Sequence, residues 1–194
     1  QKMSDMMKGQ NAIVSAELGA SSNISHLTFG VPLPQNFDYD MDLAGKMNQM
    51  MMNDAGIIGT IVFLKNAAMI WLGWGAVDCH GDAGSVEGQG IPIMGSLVVG
   101  FPRTKYKGFG DGEVSCSQLV GGDSEDQILG WQMAGRLSQQ FGYPIFVSCG
   151  LFESDPPEWM KGLDKGALAQ RAAAMAERKV KEILKERRAG VQEK

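Results

Sequence analysis

Side chains able to do chemistry are few in this sequence. Cys79-His80 is an adjacent thiol and imidazole, a combination that suggests a nucleophile or a metal ligand. A structural zinc site uses four ligands at tight spacings such as C-x₂₋₄-C. The chain has three widely spaced cysteines (Cys79, Cys116, Cys149) and two histidines, so no second pair completes such a site. A Cys–His nucleophile also needs an orienting third group held in fixed geometry. Asp78, Gly81, Asp82, Gly84, Ser85, Gly88 and Gly90 instead make residues 76–91 a loop.

Glycines raise a nucleotide question next. Gly73-Trp74-Gly75 and Gly108-Phe109-Gly110-Asp111-Gly112 both fall short of G-x-G-x-x-G, and GxxxxGK[ST] is absent. Both stretches are therefore read as turns. Gly121-Gly122 precedes a helix pattern whose N-terminus could cradle an anion. Asp123, Glu125 and Asp126 already place negative charge there, which repels phosphate. No catalytic residue, metal or cofactor is expected.

The elements around these residues follow from length and pattern. A chain of 194 residues with 44% hydrophobic and 21% charged residues has the composition of a folded domain. Its net charge of −4 argues against a dedicated nucleic-acid binder. An odd, spread set of three cysteines argues against a disulfide scaffold. The first residues lack an apolar core, so no secretory leader is expected, and residues 1–20 are read as a flexible tail before a domain over 21–190. Ile57–Gly75 is apolar enough to suggest a membrane span, but Lys65-Asn66 sits at its midpoint. A central lysine costs roughly 2.5–3.5 kcal/mol on insertion scales. The same pair suits the turn of a hairpin between Thr60–Leu64 and Ala68–Leu72, and no membrane partner is expected.

Further strands are predicted at 23–29, ended by Pro32 and Pro34, and at 93–99, 114–120 and 143–148. A short helix after Asp40 would carry Leu43, Met47, Met50 and Met51 and close at Gly56; its thioethers suit core filling or an adaptable contact surface. Ser124-Glu125-Asp126-Gln127 reads as a capping box that opens a helix with Leu129, Met133, Leu137 and Phe141 on one face and Gly142 as its stop. A long helix covers about 164–189, with Leu168, Ala172, Met175, Ala176, Val180, Ile183 and Leu184 on one side. The predicted class is α+β: a single domain with a mostly antiparallel sheet of about six strands and helices on one face.

One pattern bears on function. A strand with one wet face alternates apolar and polar residues. Ile61-Val62-Phe63-Leu64, Met69-Ile70-Trp71-Leu72, Leu97-Val98-Val99 and Ile145-Phe146-Val147 do not alternate. Both faces of the sheet therefore need cover, and two long helices can cover one. Each Leu, Ile or Phe left bare forgoes ~1.5–3 kcal/mol. A second subunit is expected on the other face, sheet against sheet; loops 76–91 and 103–113 folding over it are the alternative. The face meeting that partner carries Met69, Trp71, Leu97 and Val99, or else the neighbours Ile70, Leu72 and Val98. Parity defines the two sets without choosing between them.

Met69-Ile70-Trp71-Leu72-Gly73, Leu97-Val98-Val99-Gly100-Phe101, Val114-Ser115-Cys116-Ser117-Gln118-Leu119-Val120-Gly121, Ala134-Gly135-Arg136-Leu137 and Ile145-Phe146-Val147-Ser148-Cys149-Gly150-Leu151 occur in that order. Together with the helix carrying Lys179-Val180-Lys181-Glu182-Ile183-Leu184, this resembles the proteasome assembly chaperone 4 family over roughly residues 22–188. The resemblance implies a non-enzymatic chaperone. It implies pairing with a proteasome assembly chaperone 3-like protein in a heterodimer, and binding to proteasome alpha subunits, notably alpha type 5, during assembly of the 20S ring. It also implies a cytoplasmic location, with the nucleus as a second compartment. The glycine-rich stretch 76–91 and the long N-terminal part with its methionine helix depart from that family pattern.

Arg178, Lys181, Lys185 and Arg188 recur at spacings of 3, 4 and 3 and form a basic stripe on the last helix. Residues 177–194 carry seven basic and four acidic side chains, or +3, which leaves −7 on the rest of the chain. A solvated helix face explains the stripe, as does a docking strip for an acidic protein. Two other classes of function remain open at this point. One is a small-molecule or lipid binder that uses the apolar sheet face. The other is an enzyme with its site in the 76–113 loops, around Cys79, His80 and Asp111.

Overall fold

The computed structural model describes residues 24–32, 55–77, 94–103, 115–154 and 164–192. In chain order its elements are β1 (Ser25–Pro32), β2 (Ala55–Leu64), β3 (Ala67–Ala76), β4 (Ser96–Phe101), β5 (Ser115–Val120), α1 (Ser124–Phe141), β6 (Ile145–Gly150) and α2 (Lys165–Gln192). The strands form one sheet in the order β1-β2-β3-β6-β4-β5. Four of the five pairings are antiparallel and β3–β6 is parallel. This is the α+β architecture expected, with β6 inserted between β3 and β4.

The hairpin turn at Lys65-Asn66 forms as predicted and joins β2 to β3. The strands run longer than their apolar cores suggested. Gly56 pairs with Gly75 inside the β2–β3 ladder, so Gly56 is a strand residue and does not close a helix. Gly73 faces Ile58 in the same ladder, which makes Gly73-Trp74-Gly75 strand and not turn. β1 ends at Pro32 as predicted, though it includes that proline, which at the end of an edge strand leaves no gap in the ladder by its missing N–H. The methionine segment 41–52, residues 1–20, residues 78–91 and residues 104–114 lie outside the described residues.

α1 is capped one residue earlier than the capping box implied. Asp123 is the N-cap, and its carboxylate accepts from the backbone N–H groups of Glu125 at 2.8 Å and Asp126 at 3.4 Å. Its carbonyl accepts the first helical bond from Gln127 at 3.0 Å. A carboxylate in that place satisfies two orphan donors, which leaves Ser124 free to be the first helical residue. The C-terminal stop is as predicted: Gly142 adopts φ 79°, and its N–H donates to the Ser138 carbonyl. α2 begins after Asp164, whose carboxylate accepts from the N–H of Gly166 at 2.9 Å.

Both helices lie on one face of the sheet. Leu129, Met133, Ala134, Leu137 and Phe141 of α1 and Ala169, Ala172, Ala176, Val180 and Leu184 of α2 share a core with Phe29, Ile57, Ile61, Ala68, Ile70, Leu72, Val98, Ile145 and Val147. β5 and β6 both run antiparallel to β4, so they are parallel to each other, and α1 is the crossover between them, lying over β4. The crossover packs tightly because position 100 is glycine. A Cβ on Gly100 would sit 2.4 Å from the Ala134 carbonyl oxygen.

A buried acid fixes the segment that follows β6. Asp126 is fully buried and accepts from Leu151 N–H at 2.9 Å, from Phe152 N–H at 3.0 Å and from Glu153 N–H at 2.9 Å. The Cys149 thiol also donates to it at 3.2 Å. Asp126 is therefore more than an acid complementing the first turn of a helix: it ties α1 to the end of the central strand.

Candidate functional site

Ladder register assigns every strand residue to a face. Ile61 faces Ile70 and Ile70 faces Val147, so these point to the helices, as do Leu72 and Val98. The alternate residues point away from them. Met69, Trp71, Leu97 and Val99 thus lie together on the face that no helix covers among the described residues. Phe146 and Ser148 of β6 lie between them, because Met69 pairs with Phe146, Trp71 with Ser148, Leu97 with Ser148 and Val99 with Phe146. The other parity set, Ile70, Leu72 and Val98, is spent on the helix layer.

The four residues are not equally accessible. Met69 and Trp71 are half-buried, whereas Leu97 is 6% and Val99 2% exposed within the single chain. Leu97 and Val99 therefore form the floor of the face and not its contact surface. Met69, Trp71 and Phe146 stand half-buried beside them, while Leu64, Phe101 and Val120 are exposed at the rim. Phe146 was within reach of the sequence, since Ile145-Phe146-Val147 is one of the runs without alternation. Its place beside Met69 and Val99 depends on the insertion of β6, which no local pattern encodes.

A buried polar atom interrupts this apolar surface. Ser148 is 1% exposed, and its hydroxyl has no hydrogen-bond partner among the described residues. A buried hydroxyl without a partner costs on the order of 1–3 kcal/mol.

The basic stripe lies on the opposite side of the molecule, on the outer surface of α2. Arg178, Lys185 and Arg188 are exposed there. Lys181 is withdrawn from the stripe by Glu177, which accepts from its Nζ at 2.7 Å. The same carboxylate receives a two-pronged contact from Arg136 of α1, at 3.0 Å from Nε and 2.6 Å from Nη2. Burial acts to raise the Glu177 carboxyl, but the hydrogen bonds and charges of Arg136 and Lys181 together outweigh it and hold the group below its ordinary value. The hydrogen bond to Glu177 in turn raises the Arg136 guanidinium. This cluster joins α1 to α2.

Among the described residues, little else could act chemically. Cys79, His80 and Asp111 lie outside the described residues. Burial, aided by the neighbouring Asp126, pushes the Cys149 thiol well above its ordinary value and keeps it protonated. No group of three or more His, Cys, Asp or Glu side chains that could hold a metal occurs among the described residues. An open groove of about 680 Å³ between α1 and α2 is lined by Ile128, Gln132, Arg136, Phe152 and Gln170 among others. Its guanidinium, Arg136, is already bound to Glu177. No helix among the described residues is long and apolar enough to cross a membrane.

Comparison with known proteins bears out the resemblance read from the sequence. The family model for proteasome assembly chaperone 4 matches residues 57–151, just under half of the chain. That segment runs from the third residue of β2 through β6 and leaves β1 and α2 outside it. A chain from a crystal structure of a novel chaperone complex for yeast 20S proteasome assembly superposes with a TM-score of 0.47 at 11% identity. The superposition covers 85% of this chain and 98% of that one. None of the curated proteins matches.

Proposed function

We propose that this chain, which resembles the proteasome assembly chaperone 4 family through the core of its sheet, is a non-enzymatic subunit that assists 20S proteasome assembly. It pairs with a chaperone 3-like protein of similar fold, sheet against sheet, and the heterodimer binds alpha subunits, alpha type 5 among them. The observation that carries this reading is the helix layer, which among the described residues covers one face of the sheet only. Met69, Trp71 and Phe146 are large apolar side chains left half-buried on the other face, with Leu64, Phe101 and Val120 exposed around them. Exposed apolar surface of this kind marks protein contacts. No bond is made or broken and no cofactor is used; the partner is held by burial of apolar area at ~25 cal/mol per Å².

The exposed cations Arg178, Lys185 and Arg188 face away from that interface. They remain available to an acidic surface of an alpha subunit while the sheet face is occupied. The working place of such a subunit is the cytoplasm, with the nucleus as a second compartment.

Affinity purification of the full chain from its source cell, followed by native mass measurement, tests the proposal. Co-elution of a second protein of similar fold together with alpha subunits is expected. Recovery of neither protein, or of the chain carrying a bound small molecule or lipid, would overturn it.

A further inference from the structure

Register aligns four side chains with hydrogen-bonding groups across the open face of the sheet. Thr28 pairs with Thr60, Thr60 with Trp71 and Trp71 with Ser148, so they form one row over β1, β2, β3 and β6. Leu97 of β4 continues the row beyond Ser148. The next row along the strands is apolar at its centre, with Val62, Met69, Phe146 and Val99 in register. Exposure falls along the polar row. Thr28 is exposed, Thr60 and Trp71 are half-buried, and Ser148 is 1% exposed. The row thus leads from solvent at the β1 edge to a buried hydroxyl with no hydrogen-bond partner among the described residues.

Other buried serines of the chain are handled differently. Ser138 donates to the Gly135 carbonyl at 3.0 Å. Ser96, also unpartnered, pairs with Cys149 on the helix side. Gly122 closes it in, since a Cβ there would lie 3.2 Å from that of Ser96. Ser148 instead points to the face that the helices leave open, where a second protein can supply what its own chain does not.

The surroundings of Ser148 select what can meet it. Among the described residues its neighbours on the face, Met69, Trp71, Phe146, Leu97 and Val99, are all uncharged. A charged group brought there would lose its hydration for a single neutral hydrogen bond. A neutral polar group loses far less. Packed sheets lie about 10 Å apart, and serine spans only a small part of that gap. The side chain that meets it from a facing sheet must therefore be long as well as neutral, which fits glutamine or tyrosine.

We propose that this row is the register key of the sheet-to-sheet contact, and that the partner's sheet completes it with a glutamine or tyrosine hydrogen-bonded to Ser148. Such a key presupposes the sheet-face docking proposed above; it adds how one partner sheet is told from another. A sheet that is apolar at this point, or one slipped by a residue, leaves the hydroxyl buried and unpaired and is disfavoured on that ground.

Calorimetric titration of the full chain with the protein of similar fold that co-elutes with it tests the key. Ser148→Ala should weaken binding about tenfold, although the isolated variant melts higher than the unaltered chain. Ser148→Cys, nearly the same in size but a weaker hydrogen bonder, should fall between the two. With the partner's glutamines and tyrosines replaced one at a time, the loss at one of them should vanish once Ser148 is alanine. Undiminished binding by Ser148→Ala, with binding still weakened by Met69→Ala, would overturn the key and leave the sheet-face contact standing. So would the absence of any glutamine or tyrosine coupled to Ser148, or a lower melting temperature for Ser148→Ala, which would mean the hydroxyl is satisfied within the chain. Binding untouched by both Met69→Ala and Ser148→Ala, or no co-eluting protein at all, would remove the partner from this face and the key with it.

Discussion

The two faces of this sheet are built from side chains of nearly the same hydrophobicity and have opposite fates. On one, Ile61, Ile70, Leu72, Val98 and Val147 are sealed under α1 and α2. On the other, Met69, Trp71 and Phe146 remain half-buried around a floor of Leu97 and Val99. Residues one position apart along β3 thus belong to a finished core and to a surface with apolar area to spare. Hydrophobic content alone does not distinguish a core strand from an interface strand; the layer packed against each face does.

Substitutions on the covered face should cost the isolated chain most. Asp126→Ala leaves the N–H groups of Leu151, Phe152 and Glu153 without their acceptor, and a loss of about 3–5 kcal/mol is expected in chemical denaturation. A melt unchanged by Asp126→Ala would contradict the tie between α1 and the end of β6. Leu72→Ala, which opens a cavity under the helices, should cost about 2–5 kcal/mol. Met69→Ala, three positions away on the same strand but on the other face, should cost the isolated chain about 1 kcal/mol or less while weakening partner binding. Equal losses of stability at positions 69 and 72 would erase the distinction between the faces.

Two smaller effects sharpen the same comparison. Ser148→Ala removes a buried hydroxyl with no partner among the described residues, so the isolated chain should gain about 1 kcal/mol, read as a higher melting temperature. A loss instead would mean the hydroxyl is satisfied. On the helix side, Glu177 is held below its ordinary value in the folded chain. Its ionised form therefore adds stability that is fully present above the unfolded-state value and is lost as the pH falls through the lower folded one. Glu177→Gln should flatten that acid limb of the stability profile. An unchanged slope would show that Arg136 and Lys181 do not discriminate its protonation states.

Much of the fold was legible in the amino-acid order because it is written locally. Lys65-Asn66 breaks a long apolar run into a hairpin, the four-residue repeat from Leu129 to Phe141 makes a helix, and the left-handed turn at Gly142 ends it. The strands without alternation already implied that both faces need cover. Of the candidate site, the residue types and the two parity sets were equally visible, and Met69, Trp71, Leu97 and Val99 do share a face. What stayed hidden is long-range. Inserting β6 between β3 and β4 brings Phe146 beside Met69 and buries Ser148 beside Trp71, and it follows from where α1 packs and not from any local pattern. Asp126 reads as a helix-dipole acid until the chain beyond β6, some 25 residues later, folds back onto it.

Sequence by itself determined where the cores of the described strands and both described helices lie, since turn residues and apolar periods act over a few neighbours. The tertiary structure alone decided which of two equally apolar sets meets the helices, because a strand's two faces are chemically alike until something packs on one of them.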